Sequence, residues 1–293
     1  MGILQSVSRT KVFGPRKIVV YGGNGVGKSS LLAGVAGTLY IRPEDNLAHL
    51  DVDALPKPAT WGELMEQLRG VHEEPHSYIN LVIDTLDDVQ RLMELDIEAT
   101  TKKAFKESNF GNYNAAAKAR WEDFMAWIDA IVHDRGVTVI MLAHCDTLRF
   151  NNPEGEDFHK YNMRLHKWAT NEIRKWANDV LFATMPISVK GVGDEPPAGS
   201  QIKQKKIGQL RGTRILRTVE TAACFAKNQC GLPAEIPLSW AEYAKYAFPG
   251  GQANVVTGEV VGEPAPEPEW GEVGGDDGAY SSDTVEAVEG DGQ

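Results

Sequence analysis

The sequence predicts an α/β fold built on a mostly parallel central sheet, and three observations lead there. Through residues 1–250, short apolar runs alternate with stretches of helical periodicity, the pattern of strands joined by crossover helices. Residues 17–21 (KIVVY) form one such run and stop at a pair of glycines, as a buried parallel strand does before a tight loop. Residues 78–84 (YINLVID) form another and end in a carboxylate.

The elements follow in order. After the strand at 17–21, residues 28–36 read as a helix and residues 47–53 (LAHLDVD) as a second strand. Thr60 opens the next helix, with Glu63 three residues on completing a capping box. Residues 78–84 are a third strand and 137–143 (VTVIMLA) a fourth. Between these two, residues 115–133 carry Trp121, Phe124, Met125, Ile128 and Val132 at helical spacing, a core-facing stripe. Residues 143–165 are polar and loop-like, and 167–178 read as a helix. Residues 179–189 and 214–227 look like two strands joined by a Gly/Pro/Lys-rich connection, a C-terminal β-hairpin extension with a long tip. A short closing helix is expected at 240–248. The division expected is an N-terminal segment at 1–16, one domain at 17–249 and a disordered acidic tail at 250–293.

Composition narrows the field. The chain has 293 residues, 42% apolar and 24% charged, values of an ordinary globular protein. Its net charge of −11 resides in the tail: residues 251–293 hold eleven acids and no Lys or Arg, leaving 30 acids against 30 bases before them. The longest apolar run, at 137–143, is far short of the roughly 20 residues of a membrane helix. No apolar signal core appears at the N-terminus, and Met1-Gly2 with Ser6 matches only a short myristoylation pattern. Cys145, Cys224 and Cys230 form no CxxC pair, which fits a cytoplasmic protein without a zinc site or disulfides.

One motif carries chemistry outright. Gly22, Gly23, Asn24, Gly25, Val26, Gly27, Lys28 and Ser29 fit G-x-x-x-x-G-K-[ST], with Ser30 following and an apolar strand before them. The glycines let successive N–H groups turn toward phosphate oxygens, and a helix N-terminus would add a favourable dipole. Lys28 is expected to reach the β- and γ-phosphates and Ser29 to ligate Mg²⁺. Asp84, at the end of its apolar strand, is the second metal anchor. Of Asp51 and Asp53, Asp53, nearest the C-terminal end of its extended segment, is the candidate base. His144, just past the fourth strand, is placed to contact the γ-phosphate or to act as a structural histidine. With no N-K-x-D stretch for guanine, ATP is the expected nucleotide.

These segments resemble the RecA-like P-loop ATPases, in particular the small phage-encoded nucleotide-binding proteins related to single-strand-annealing recombinases. The stretches that carry the likeness are GGNGVGKSS at 22–30, AHLDVD at 48–53, VIMLAH at 139–144 and KNQCGLP at 227–233. The resemblance implies ATP and Mg²⁺ as cofactors and a homo-oligomer with ATP at subunit interfaces. Asp53 stands where the family has a catalytic Glu, and His144 where it has a Gln sensing the γ-phosphate. Lys227 would reach a neighbouring subunit's ATP, with Cys224 in place of a second Lys. It also implies single-stranded DNA as partner, held by residues 145–165 through Arg149, Lys160 and Arg164, with Phe150, Phe158 and Tyr161 available to stack on bases.

A second basic stretch holds Lys203, Lys205, Lys206, Arg211, Arg214 and Arg217 without an acid, and is either a nucleic-acid contact or a solvated turn. The acidic tail is placed to shield such a groove or to recruit a replication or recombination protein. Residues 105–113 are either a further DNA loop or a surface excursion. The leading expectation is an ATPase acting on single-stranded DNA in recombination or annealing, in the cytoplasm of a host cell. The alternatives are an ATP-dependent loader or switch working on a protein partner and, more weakly, a small-molecule kinase, for which the 149–164 segment offers few arginines.

Overall fold

The structure is a computed structural model describing residues 14–44, 50–101, 110–192, 205–210 and 212–249, without the side chains of 110–113, 187–192 and 205–210. The expected tail, the first part of the N-terminal segment, Lys203 and Arg211 lie outside these residues, as does most of 105–113.

The chain opens with β1 (Lys17–Gly22), a 3-10 turn at Ser29–Leu32, β2 (Thr38–Ile41) and β3 (Asp53–Ala54). Helix α1 (Trp61–Glu73), β4 (Asn80–Asp84), α2 (Leu86–Thr101), α3 (Phe110–Asp134) and β5 (Thr138–Phe150) follow. Next come β6 (Phe158–Met163), α4 (Lys167–Trp176), β7 (Asp179–Thr184), β8 (Ile187–Val192) and β9 (Lys205–Leu210). The last elements are β10 (Ile215–Arg217), β11 (Glu235–Pro237) and α5 (Trp240–Ala247). The sheet runs β11-β10-β7-β1-β5-β4-β2-β3, with β6 on the extension of β5 and β8–β9 a separate pair. From β7 to β3 all pairings are parallel. This is the expected RecA-like α/β class, with β5 inserted between the phosphate-loop strand and the strand ending in Asp84.

Both sheet faces are covered, which is why β1 and β4 are apolar on both sides. Val19 and Tyr21 face α1, α2, α3 and α4 through Leu64, Leu68, Met93, Trp121, Phe124 and Ile173. Ile18 and Val20 face the opposite way, against Leu31, Leu32, Trp240 and Tyr243. Each large side chain buried so completely contributes about 1.5–3 kcal/mol. The capping box at α1 forms: the Thr60 hydroxyl accepts from the Glu63 N–H at 3.2 Å, and the Glu63 carboxylate accepts from the Ala59 N–H at 2.7 Å.

Three expectations need correction. The helix at 28–36 is only the 3-10 turn, because Gly34 and Gly37 sit at φ of 78° and 69° and redirect the chain into β2. The second core strand is therefore Thr38–Ile41; of the expected 47–53, residues 47–49 lie outside the described residues, and Asp53 pairs, with Ala54 after it, at the sheet edge. The polar segment 143–165 is a β-hairpin: β5 continues to Phe150 and pairs with β6 from Cys145↔Met163 to Phe150↔Phe158. The C-terminal hairpin is partly as expected. Ile215–Arg217 pairs antiparallel with Phe182–Thr184 of β7 as expected, but the rest of 214–227 gives only isolated bridges, and β8 and β9 form a separate pair within what was read as the connection.

A buried ionic cluster closes the sheet on the side of α5. Asp179, fully buried, accepts from Arg16 Nε at 2.8 Å and Nη2 at 2.7 Å, from the Tyr243 hydroxyl at 2.6 Å and from the Gln229 N–H at 2.8 Å. No helix among the described residues is long and apolar enough to cross a membrane. Asp179→Ala leaves the largely buried Arg16 guanidinium without its counter-charge and is expected to cost about 3–5 kcal/mol, while Tyr243→Phe costs about 1 kcal/mol. Urea denaturation checks both, and a loss under about 1 kcal/mol for Asp179→Ala would show that the cluster does not hold the edge.

Candidate active site

The parallel strands end along one edge, with Gly22 opposite His144 and Asp84 opposite Leu142. The loops leaving that edge enclose a cavity of about 420 Å³ lined by Asn24, Gly25, Gly27, Lys28, Ser29, Ser30, Glu44, Asp84, His144 and Arg214. Gly25 and Gly27 hold left-handed φ values of 70° and 97°, which open the loop's backbone to the cavity. With only a four-residue turn behind it, the loop lacks the helix dipole expected from the sequence.

Charge within the cavity is poorly solvated. Lys28 is 5% exposed; its ammonium donates to the carbonyls of Gly22 at 3.0 Å and Gly23 at 2.9 Å and lies 3.4 Å from His144 Nδ1. Burial pushes its pKa down, and Asp84 pulls it back. Asp84 is 1% exposed, and neither carboxylate oxygen has a well-formed hydrogen bond. Burial drives its pKa up, with the Ser29 hydroxyl and the Lys28 charge opposing. A buried carboxylate held short of partners beside a serine hydroxyl is the donor set that a hard divalent cation such as Mg²⁺ satisfies.

Glu44, which the sequence reading missed, completes the acidic side. Its backbone N–H approaches the Asp84 carbonyl at 3.5 Å, and its Oε2 is buried, 3.5 Å from His144 Nε2. The His144 ring thus stands between the Lys28 ammonium, 3.4 Å from its Nδ1, and the Glu44 carboxylate, 3.5 Å from its Nε2. The signal for Glu44 was its place three residues beyond TLYI, legible only once those residues are known to be a core strand.

Asp53 does not join this cavity. It pairs with Leu39 on the outer strand, and with Asp51 it lines a separate cavity of about 240 Å³ beside Val35 and Gly37. Its carboxylate sits near the Tyr78 hydroxyl, whose pKa rises from desolvation and from that charge. The Leu39 level of the sheet matches Leu81, three residues before Asp84. Lys227 likewise stays away from its own chain's cavity, exchanging backbone hydrogen bonds with Val180, three residues before the Ala183 that faces Gly22.

The residues expected at DNA are distributed differently. Arg149 pairs with Asp157 at 2.9 Å, Lys160 with Glu220, and Arg164 with Asp87 at 2.9 Å, so each cation of the hairpin is matched by an acid. Phe150, 43% exposed, packs on Phe158 with ring centres 5.0 Å apart, and Lys160 lies over its ring at 5.8 Å. Tyr161 stacks on Phe182 at 5.0 Å. Lys205 and Lys206 lie on β9, opposite Val192 and Gly191. The base of the hairpin is tied to the cavity: Asp87 accepts from the His144 N–H at 2.8 Å and from Arg164 Nε at 2.9 Å, and the Arg164 N–H donates to the His144 carbonyl at 2.9 Å.

A family model described as an AAA domain matches residues 14–230. No curated protein sequence matches the chain. Among solved structures, the RadB recombinase is similar at 12% identity and a TM-score of 0.37, over 70% of this chain and 89% of that one. The flagellar accessory protein FlaH from Methanocaldococcus jannaschii is similar at 13% identity and a TM-score of 0.33, over 71% and 87%.

Asp84→Asn tests the cavity's charge balance. Burial raises the folded-state pKa of Asp84 above its unfolded value, so its ionised form costs stability at neutral pH, and the cost fades as pH falls through that raised pKa. The nucleotide-free variant is expected to be more stable than wild type at neutral pH by the order of 1 kcal/mol, with the difference vanishing in acid. Superimposable melting curves at every pH would show that the carboxylate is already satisfied.

Proposed function

The chain belongs to the AAA-domain family whose model spans residues 14–230, and from that premise we propose that it is a magnesium-dependent ATPase acting on single-stranded DNA through the β5–β6 hairpin. The observation that carries the ATPase reading is the convergence of Lys28, Ser29, Asp84, Glu44 and His144 on one cavity beside the glycine loop.

In this reading the loop amides bind the phosphate chain, and Lys28 turns from the Gly22 and Gly23 carbonyls to the β- and γ-phosphate oxygens. Ser29 and Asp84 hold Mg²⁺, which when bound neutralises phosphate charge. Glu44 accepts the proton of the attacking water, and His144, its Nε2 3.5 Å from Glu44 Oε2, is the positioning residue beside it. Occupancy of the cavity then reaches the hairpin through His144, Asp87 and Arg164, the bonds that join the hairpin's base to the start of α2. The exposed Phe150 with Lys160 above it is the stacking platform for a DNA base. The same reading extends to a homo-oligomer with ATP between subunits and Lys227 of one copy beside a neighbour's nucleotide, to a recombination or annealing role in a phage-infected cell, and to a replication partner met by the tail.

A second reading, an ATP-dependent loader or switch acting on a protein, is favoured by one observation: the cations of the β5–β6 hairpin are each paired with an acid, leaving little charge for a nucleic-acid backbone.

ATP turnover with and without single-stranded DNA separates the two. Stimulation that falls steeply with salt is expected for the DNA reading, and turnover indifferent to DNA at low salt would transfer the function to a protein partner. Glu44→Gln is expected to lower turnover by roughly a hundredfold or more with ATP affinity retained, and Asp53→Asn to leave turnover near wild type. The reverse ranking would return the base to Asp53.

A further inference from the structure

One cation in the cavity is unaccounted for by that scheme. Arg214 belongs to the basic stretch expected at a hairpin tip, yet the fold carries it to the phosphate loop. Its guanidinium Nη1 lies 3.1 Å, and its Cδ 3.8 Å, from where a Cβ on Gly27 would be, so it rests on backbone left bare by that glycine. The backbone at Arg214 is fixed: its carbonyl accepts from the Leu238 N–H at 2.9 Å, and the next residue, Ile215, pairs with Thr184 of β7 and Pro237 of β11.

The side chain itself has no partner among the described residues. The ten other described arginines each donate to a carboxylate, a side-chain amide or a carbonyl. Arg214 makes no such bond, although Asp84 and Glu44 line the same cavity. An unpaired guanidinium on a rigid strand end, laid on a phosphate loop, is a fork waiting for an anion. The charge balance agrees. Lys28 and Arg214 together offset Asp84 and Glu44, and without Arg214 the cavity would hold an excess of acid facing a nucleotide that stays anionic even with its metal.

We infer that Arg214 is a second cation for the bound nucleotide, contacting its α- and β-phosphates from the same chain. The assignment to these two phosphates follows from Gly27: the loop amides cradle the α- and β-phosphates, whereas the lysine reaches on to the γ-phosphate. It deepens the reading of the cavity as an ATP site and rests on it. Because ADP keeps both contacted phosphates, Arg214 holds substrate and product alike, and the discrimination between them is left to Lys28, Glu44 and His144.

Calorimetry with ATP·Mg and ADP·Mg on the full chain, as wild type, Arg214→Ala, Arg214→Lys and Lys28→Ala, tests this. Arg214→Ala is expected to weaken ATP and ADP by a similar factor of about tenfold, with Arg214→Lys between it and wild type. Its nucleotide-free melting temperature should match wild type, since the side chain bonds to none of the described residues, which separates a binding loss from misfolding. Unchanged affinities, or a loss confined to ATP, would overturn the assignment. If wild type itself bound neither nucleotide, the cavity reading would fail instead, whatever Arg214 does.

Discussion

Because β5 lies between β1 and β4, the phosphate loop and Asp84 leave the sheet about two strand spacings apart, roughly 10 Å. That gap is wide enough for a phosphate chain and its metal, and the strand that fills it delivers His144 to the middle. The two buried charges, Lys28 and Asp84, are then held at the rim of a core that solvates neither. Such groups are tolerated because the strand that ends in Asp84 and the strand that leads into the Lys28 loop are each paired on both sides. The cavity is thus preorganised by sheet register, which the packing of both faces holds in place.

What could be read from the sequence was whatever a local pattern dictates. The glycine loop, the apolar strand ending in Asp84, the capping box at Thr60 and the stripe from Trp121 to Val132 each announce themselves within a few residues. Reading failed where spacing was decided by tertiary structure. The glycines Gly34 and Gly37 cut the expected helix to one turn, which moved the second strand forward to Thr38–Ile41 and the catalytic candidate from Asp53 to Glu44. Arg214 was invisible for a related reason: nearly two hundred residues separate it from the loop, and only the return of β10 to β7 brings them together. The polar composition of 143–165 concealed a hairpin because that hairpin projects past the sheet, where alternation with solvent on both faces replaces an apolar side.

Asp87 gives the hairpin a mechanical relation to the cavity. It stands three residues after Asp84, at the start of α2, and holds the last residue of β5 that pairs with β1 and the first residue after β6. A shift at the end of β4 is therefore shared with both arms of the hairpin at their root, where a small rotation becomes a larger displacement at Phe150. At that end Leu148 and Phe150 are the large apolar side chains left exposed.

The abrupt turn after the phosphate loop has a consequence of its own. A long helix would supply anion attraction through the free N–H groups and dipole of its first turn, a backbone field that a side-chain substitution alters little. Here the four-residue turn supplies little of that field, and attraction is vested in a few discrete side chains. An anion in this cavity would consequently feel the loss of one side chain, Lys28 or Arg214, more sharply than it would beside a long helix.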